Sequence, residues 1–147
     1  MSLFFYFGLN TFTGQEWGSG HVHPSLFNPT NLNATHWIHL AKLNGFNRVI
    51  LTAKHHDGFC LWPFQYTNYS VRSSPWKAGI GDVLADLSAA AKLAGVDLGI
   101  YLSLVLKQLS WMRLLRASRR AWKSSALLTA LVRERERGVC DCWRWVG

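Results

Sequence analysis

An aliphatic and β-branched run, Val49-Ile50-Leu51-Thr52-Ala53, stops abruptly at Lys54-His55-His56-Asp57-Gly58. Few folds accommodate that pattern. Apolar side chains on both faces call for a strand buried between two layers, and the polar residues at its C-terminal end then enter the loops above a parallel sheet. Adjacent residues on a regular strand point to opposite faces, so His55 and His56 can serve one ligand only where the strand is ending, a turn that Gly58 permits.

The flanking segments repeat the same grammar. Leu3 to Phe7 reads as a buried strand, followed by a glycine-rich loop, Gly14-Gln15-Glu16-Trp17-Gly18-Ser19-Gly20. Pro24, Asn28-Pro29 and Asn31 to Asn33 extend that loop. Asn33 or Thr35 can cap a helix over Thr35 to Asn44, where Trp37, Leu40, Ala41 and Leu43 recur near a helical period, and Gly45 stops it. Arg48 to Ala53 is the second strand. After an aromatic-rich loop, a second helix begins near Asp82 with Val83, Leu84, Leu87, Ala90, Ala91 and Ala94 on one side, and Gly95 ends it. Val96 to Leu102 is the third strand. Strand, helix, strand, helix, strand predicts an α/β fold with a parallel sheet.

Charge divides the chain near Ser103. Residues 1–103 carry six Lys/Arg and five Asp/Glu, whereas residues 104–147 carry ten and three. The later segment interleaves Arg113, Arg116, Arg119, Arg120 and Lys123 with Leu109, Met112, Leu115 and Trp122, a pattern open to a basic amphipathic helix that contacts acidic surfaces. It is expected to be an unrelated tail. Three cysteines, Cys60, Cys140 and Cys142, form no paired framework. No run is long and apolar enough to span a membrane, and no signal peptide is read at the N-terminus. Asn33-Ala34-Thr35 and Asn68-Tyr69-Ser70 are glycosylation sequons, pointing weakly to a secretory route.

Several constellations compete for a site. The histidine pair His55 and His56 can bond sugar hydroxyls or ligate a metal, or one ring can be buried and the other solvated. Glu16 and Trp17 offer a carboxylate to hydroxyls and a ring to an apolar sugar face, or simply an exposed glutamate beside a packing tryptophan. Trp62 and Trp76 are either stacking platforms or loop anchors. His21 and His23 have the HxH spacing of some barrel metallohydrolases, but they follow a flexible loop and precede Pro24. His36 and His39 share one helical face and read as polar surface.

Phe7-Gly8-Leu9-Asn10-Thr11-Phe12-Thr13-Gly14-Gln15-Glu16-Trp17-Gly18, Leu51 through Trp62, Pro75-Trp76-Lys77 and Gly99-Ile100-Tyr101-Leu102-Ser103 together resemble the plant-type α-L-fucosidases of glycoside hydrolase family 29. The resemblance covers about residues 4–103. It implies the first three βα units of a (β/α)8 barrel and removal of terminal α-L-fucose from glycans or glycoproteins with retention, outside the cell or in a lysosome or vacuole. It implies that His55, His56, Glu16 and Trp17 bind fucose, with Trp62 at the rim, and that no cofactor, metal or nucleic acid is involved. Where the family usually has a histidine in its first strand motif, this chain has Tyr6. The family's nucleophile belongs to a Trp-x-Asp motif on a later strand that this sequence does not contain, so no catalytic carboxylate is assigned and this chain is expected to be inactive. The alternatives are a non-catalytic fucose-binding protein and a metallohydrolase built on His21 and His23.

Overall fold

The computed structural model describes residues 1–103 and the backbone of residues 143–146. The expected basic helix, Cys140, Asp141 and Cys142 lie outside the described residues. Three parallel strands, β1 (Ser2–Phe5), β2 (Arg48–Lys54) and β3 (Asp97–Leu102), stand in sequence order, joined by α1 (Ala34–Leu43) and α2 (Val83–Ala94). The register pairs Leu3 with Val49 and Val49 with Leu98, then Phe5 with Leu51 and Leu51 with Ile100. A fourth strand, β4 (Trp143–Val146), lies antiparallel on the outer side of β3. β3 is therefore not an open edge.

Local chemistry accounts for the helices. Asn33 Oδ1 accepts from the His36 amide at 2.9 Å and Asp82 Oδ1 from the Ala85 amide at 2.9 Å, each satisfying a donor that the first turn leaves orphaned. Burial pushes the Asp82 carboxyl above its ordinary range. Left-handed Gly45 and Gly95 follow the two last turns, as the sequence predicts. α2 buries the expected Val83, Leu87, Ala90 and Ala91. α1 differs from expectation: Ala34, Ile38 and Ala41 are buried, while Leu40 and Leu43 are exposed. The buried stripe runs one position away from the leucines, through Ala34, Ile38 and Ala41, with Trp37 packed beside them. The Lys42 ammonium caps the Ala94 carbonyl and ties the two helices together.

β1 also departs from its expectation as a buried strand. It pairs only with β2 among the described residues, so its side chains alternate between exposed and half-buried, and Tyr6 and Phe7 fall beyond its end. The core instead centres on β2 and the loop above it. Val49 and Leu51 meet the helices, and Leu9, Phe27, Phe59, Leu61, Val71 and Trp76 continue the same cluster through the loops. The long loop after β2 is tied down by backbone bonds from Leu61 to Ala53, Cys60 to Tyr69 and Val83 to Leu61. Cys60 lies fully buried within it, and burial pushes its thiol up to about 12.

Candidate functional site

β2 is irregular where it matters. Its register with β3 shifts between Thr52 and Lys54, and four consecutive residues, Leu51 to Lys54, are buried. Such a bulge re-aims the side chains that follow. The chain then leaves the strand at His55 and turns through Gly58 at φ +93°. The turn brings the two imidazoles together, with ring centroids 4.5 Å apart and planes at 64°. A straight strand would have sent them to opposite faces.

Trp17 completes this group. Its indole stacks on His56 at 4.6 Å and 12° and lies 6.0 Å from His55, yet it remains 61% exposed and open to a ligand. The loop that carries it can sit so low because Gly18 has no side chain. A Cβ there would come within 2.3 Å of Asn10 Oδ1 and 2.8 Å of Asp57 Cβ. Tyr6 anchors the other end. Its hydroxyl donates to the Glu16 carbonyl at 2.6 Å, accepts from Asn10 Nδ2 at 3.3 Å and lies 3.4 Å from His55 Nδ1. Glu16 thus holds the loop by its backbone, and its carboxylate is left exposed.

His56 is held from below. Ser103 Oγ lies 2.5 Å from its Nδ1, and Ser103 is itself fixed by two bonds to Lys54. The Ser103 amide donates to the Lys54 carbonyl at 2.9 Å, and Lys54 Nζ donates to the Ser103 carbonyl at 2.7 Å. Burial lowers the Lys54 ammonium pKa, which the nearby Cys60 and Asp57 partly offset. Burial also lowers that of His55, reinforced by His56 and Lys54, which favours a neutral ring. Asp57 is buried as well, its Oδ1 accepting from the Phe59 amide at 3.3 Å, and burial raises its pKa. It braces the turn.

The remaining sequence candidates separate cleanly. Trp62 is half-buried against Phe64, with ring centroids 5.4 Å apart, so it lines the loop wall and is not stacked on the histidines. Trp76 is 4% exposed and meets Phe27 edge-on, which makes it core and not a platform. His23 Nδ1 accepts from the Ser25 amide and so caps a short 3-10 turn, while His21 is exposed. No group of three or more His, Cys, Asp and Glu side chains suited to a metal occurs among the described residues. His36 and His39 are exposed on α1. Sequence reasoning assigned no role to Asn10, Lys54 or Ser103, and treated Tyr6 only as a replaced histidine. For Lys54 the signal was available, since a lysine embedded in an apolar strand must find a partner.

The cavity behind His55, between Tyr6, Asn10, Thr52 and Asp57, measures about 10 Å³, too small for a sugar. What the histidines, Trp17 and Glu16 present is therefore an open surface: ring nitrogens, an exposed aromatic face and a carboxylate. That combination suits a polyhydroxylated ring with one apolar face. No helix of the described residues is long and apolar enough to cross a membrane.

Alpha-L-fucosidase 1 of Arabidopsis thaliana is 64% identical over 103 residues, 70% of this chain and 20% of the relative. A glycoside hydrolase family 29 fucosidase of Ruminococcus gnavus, solved in complex with fucose, is 40% identical with a TM-score of 0.66, over 71% of this chain and 22% of that one. A family 29 α-L-fucosidase of Bacteroides thetaiotaomicron, solved as a trapped covalent intermediate, is 33% identical with a TM-score of 0.61, over 71% and 28%. The chain spans about one fifth of the length of the curated relatives it matches. The family described as alpha-L-fucosidase matches residues 7–139, running past the 103 residues of the pairwise match into the basic segment. On that match the chain belongs to the α-L-fucosidase family.

Proposed function

We propose that this chain carries the sugar-holding part of a retaining α-L-fucosidase, in which His55, His56, Glu16 and Trp17 gather around a terminal α-L-fucose of a glycan or glycoprotein. The observation that carries this reading is the stack of Trp17 on His56 beside His55, at the C-terminal end of a parallel strand. Polar groups at that end of a βα sheet are where barrel enzymes assemble their sites. On this reading β1, β2 and β3 are the first three strands of a (β/α)8 barrel, and Trp62 stands at the rim. Exposure of both sequon asparagines, Asn33 and Asn68, favours a route outside the cytosol.

Retaining hydrolysis needs two carboxyl groups about 5 Å apart across the scissile bond. Among the described residues Asp82 caps a helix, Asp86 pairs with Lys77, Asp97 pairs with Arg48 and Asp57 is buried. Glu16 is the one loop carboxylate left exposed beside the histidines. On this reading the described residues hold the sugar, and the reacting carboxyl pair belongs elsewhere in the enzyme. Calorimetry of purified 1–147 with L-fucose should show binding that His56→Ala abolishes, and an aryl α-L-fucoside should not be turned over. Turnover by the wild-type chain that His56→Ala removes would overturn this division, and absence of binding would overturn the sugar-holding role.

A further inference from the structure

The loop that carries Trp17 is held at one point. Among the described residues, the stretch from Gln15 to Val22 hydrogen-bonds to the rest of the fold through a single group, the Glu16 carbonyl. The bond from the His21 amide to Ser19 Oγ at 3.2 Å lies within the stretch. The Glu16 carbonyl can only accept, so the phenol of Tyr6 donates to it, at 2.6 Å. Asn10 Nδ2 reaches the same oxygen at 3.4 Å, a much longer approach.

Tyr6 is a firm post for that bond. It follows directly on β1, which is paired with β2, and its ring meets His55 edge-on at 4.9 Å and 87°. Trp17 is the next residue after Glu16, so fixing the Glu16 carbonyl fixes the backbone from which the indole projects. Gly18, on the far side of Trp17, lies so close to Asn10 and Asp57 that it sets how low the loop can sit, but that packing carries no directional bond. Packing permits the position, and the hydroxyl selects it.

We propose that Tyr6 is a positioning residue for Trp17: the bond from its hydroxyl to the Glu16 carbonyl latches the loop and sets the indole parallel to His56. The consequence for a ligand rests on the sugar-holding reading above; the latch itself does not. With the latch closed, the exposed indole face stands ready before a ligand arrives. With it open, the ligand must order the loop, and affinity falls.

The test is fluorine NMR of the full chain labelled with 5-fluorotryptophan, in which Trp17→Phe identifies one of the eight tryptophan signals. In the otherwise unaltered chain His56→Ala should shift that signal, because the two rings are stacked. Tyr6→Phe removes the hydroxyl alone. It should shift the Trp17 signal, leave that of buried Trp76 in place, and abolish the further response to His56→Ala. Placing p-aminophenylalanine at position 6 returns a donor to the same ring carbon and should restore both the signal and its response. L-Fucose affinity in calorimetry should fall about fivefold in Tyr6→Phe, the loss of one hydrogen bond of ordinary strength, and recover with the aminated ring. A Trp17 signal that stays in place in Tyr6→Phe and still responds to His56→Ala would overturn the proposal. Shifts spread equally over the other tryptophans would also overturn it, by making Tyr6 a packing residue of the whole fold. Fluorine signals as expected in a chain that does not bind fucose would overturn the sugar-holding reading and uphold the latch.

Discussion

The two faces of the small sheet carry side chains of the same kind and have opposite fates. On one face Val49 and Leu51 are fully buried and Leu98 is 5% exposed, covered by α1 and α2. On the other, register row Phe4, Ile50 and Gly99 is followed by Tyr101, with Phe4 and Tyr101 meeting edge-on at 5.9 Å. There Phe4 is 42% exposed and Ile50 and Tyr101 are only half-buried. A strand that is apolar on both sides suits a sheet covered on both sides, and among the described residues α1 and α2 cover one of them. On the barrel reading proposed above, this second face is the one that turns inward.

Truncating the covered face should cost most. Leu51→Ala removes a fully buried side chain beneath both helices and is expected to cost about 2–5 kcal/mol, read from the midpoint of urea denaturation. Gly18→Ala comes next at about 1–3 kcal/mol, because the added methyl presses on Asn10 and Asp57, and it should also raise the Trp17 loop and weaken fucose binding in calorimetry. Ile50→Ala, one residue from Leu51 but half-buried on the face opposite α1 and α2, should cost under about 1 kcal/mol in the same denaturation series. A cost for Ile50→Ala equal to that of Leu51→Ala would break the comparison, since it would mean that both faces are covered in solution.

The smallest effect is a slope with pH. The His55 pKa is depressed below 6.5 in the fold, first by burial and then by His56 and Lys54, so below pH 6.5 the unfolded chain binds more protons than the native one. Stability from this group is therefore full above 6.5 and is lost as pH falls from 6.5 through the lower folded value. Melting temperatures measured between pH 7 and pH 5 should fall less steeply in His55→Gln than in the wild type. Equal slopes would remove His55 from the account.

Much of the architecture was legible because it is written in short-range chemistry. Asn33, Asp82, Gly45 and Gly95 bound the helices by capping, and the apolar run of β2 announced a buried strand with polar groups at its end. The faces of α1 were misread because periodicity alone does not say whether leucines or alanines will meet a close neighbour. β1 was misread because burial depends on what lies across an edge, which no property of Leu3 to Phe7 encodes. The strand at Trp143–Val146 was missed for the same reason: pairing across more than forty residues leaves no local signature.

At the site, the sequence by itself determined which groups are available: His55, His56, Glu16 and Trp17, all in polar or glycine-rich stretches where side chains can reach a ligand. Only the tertiary structure decided how they are used. The shifted register of β2 turned two adjacent histidines toward each other, and Gly18 let Trp17 settle on His56. Tyr6 and Ser103, 49 and 47 residues away from their histidines, supplied each ring with its own polar neighbour. Residue type sets what a group can donate or accept, but the partner that settles which it does is chosen by the fold.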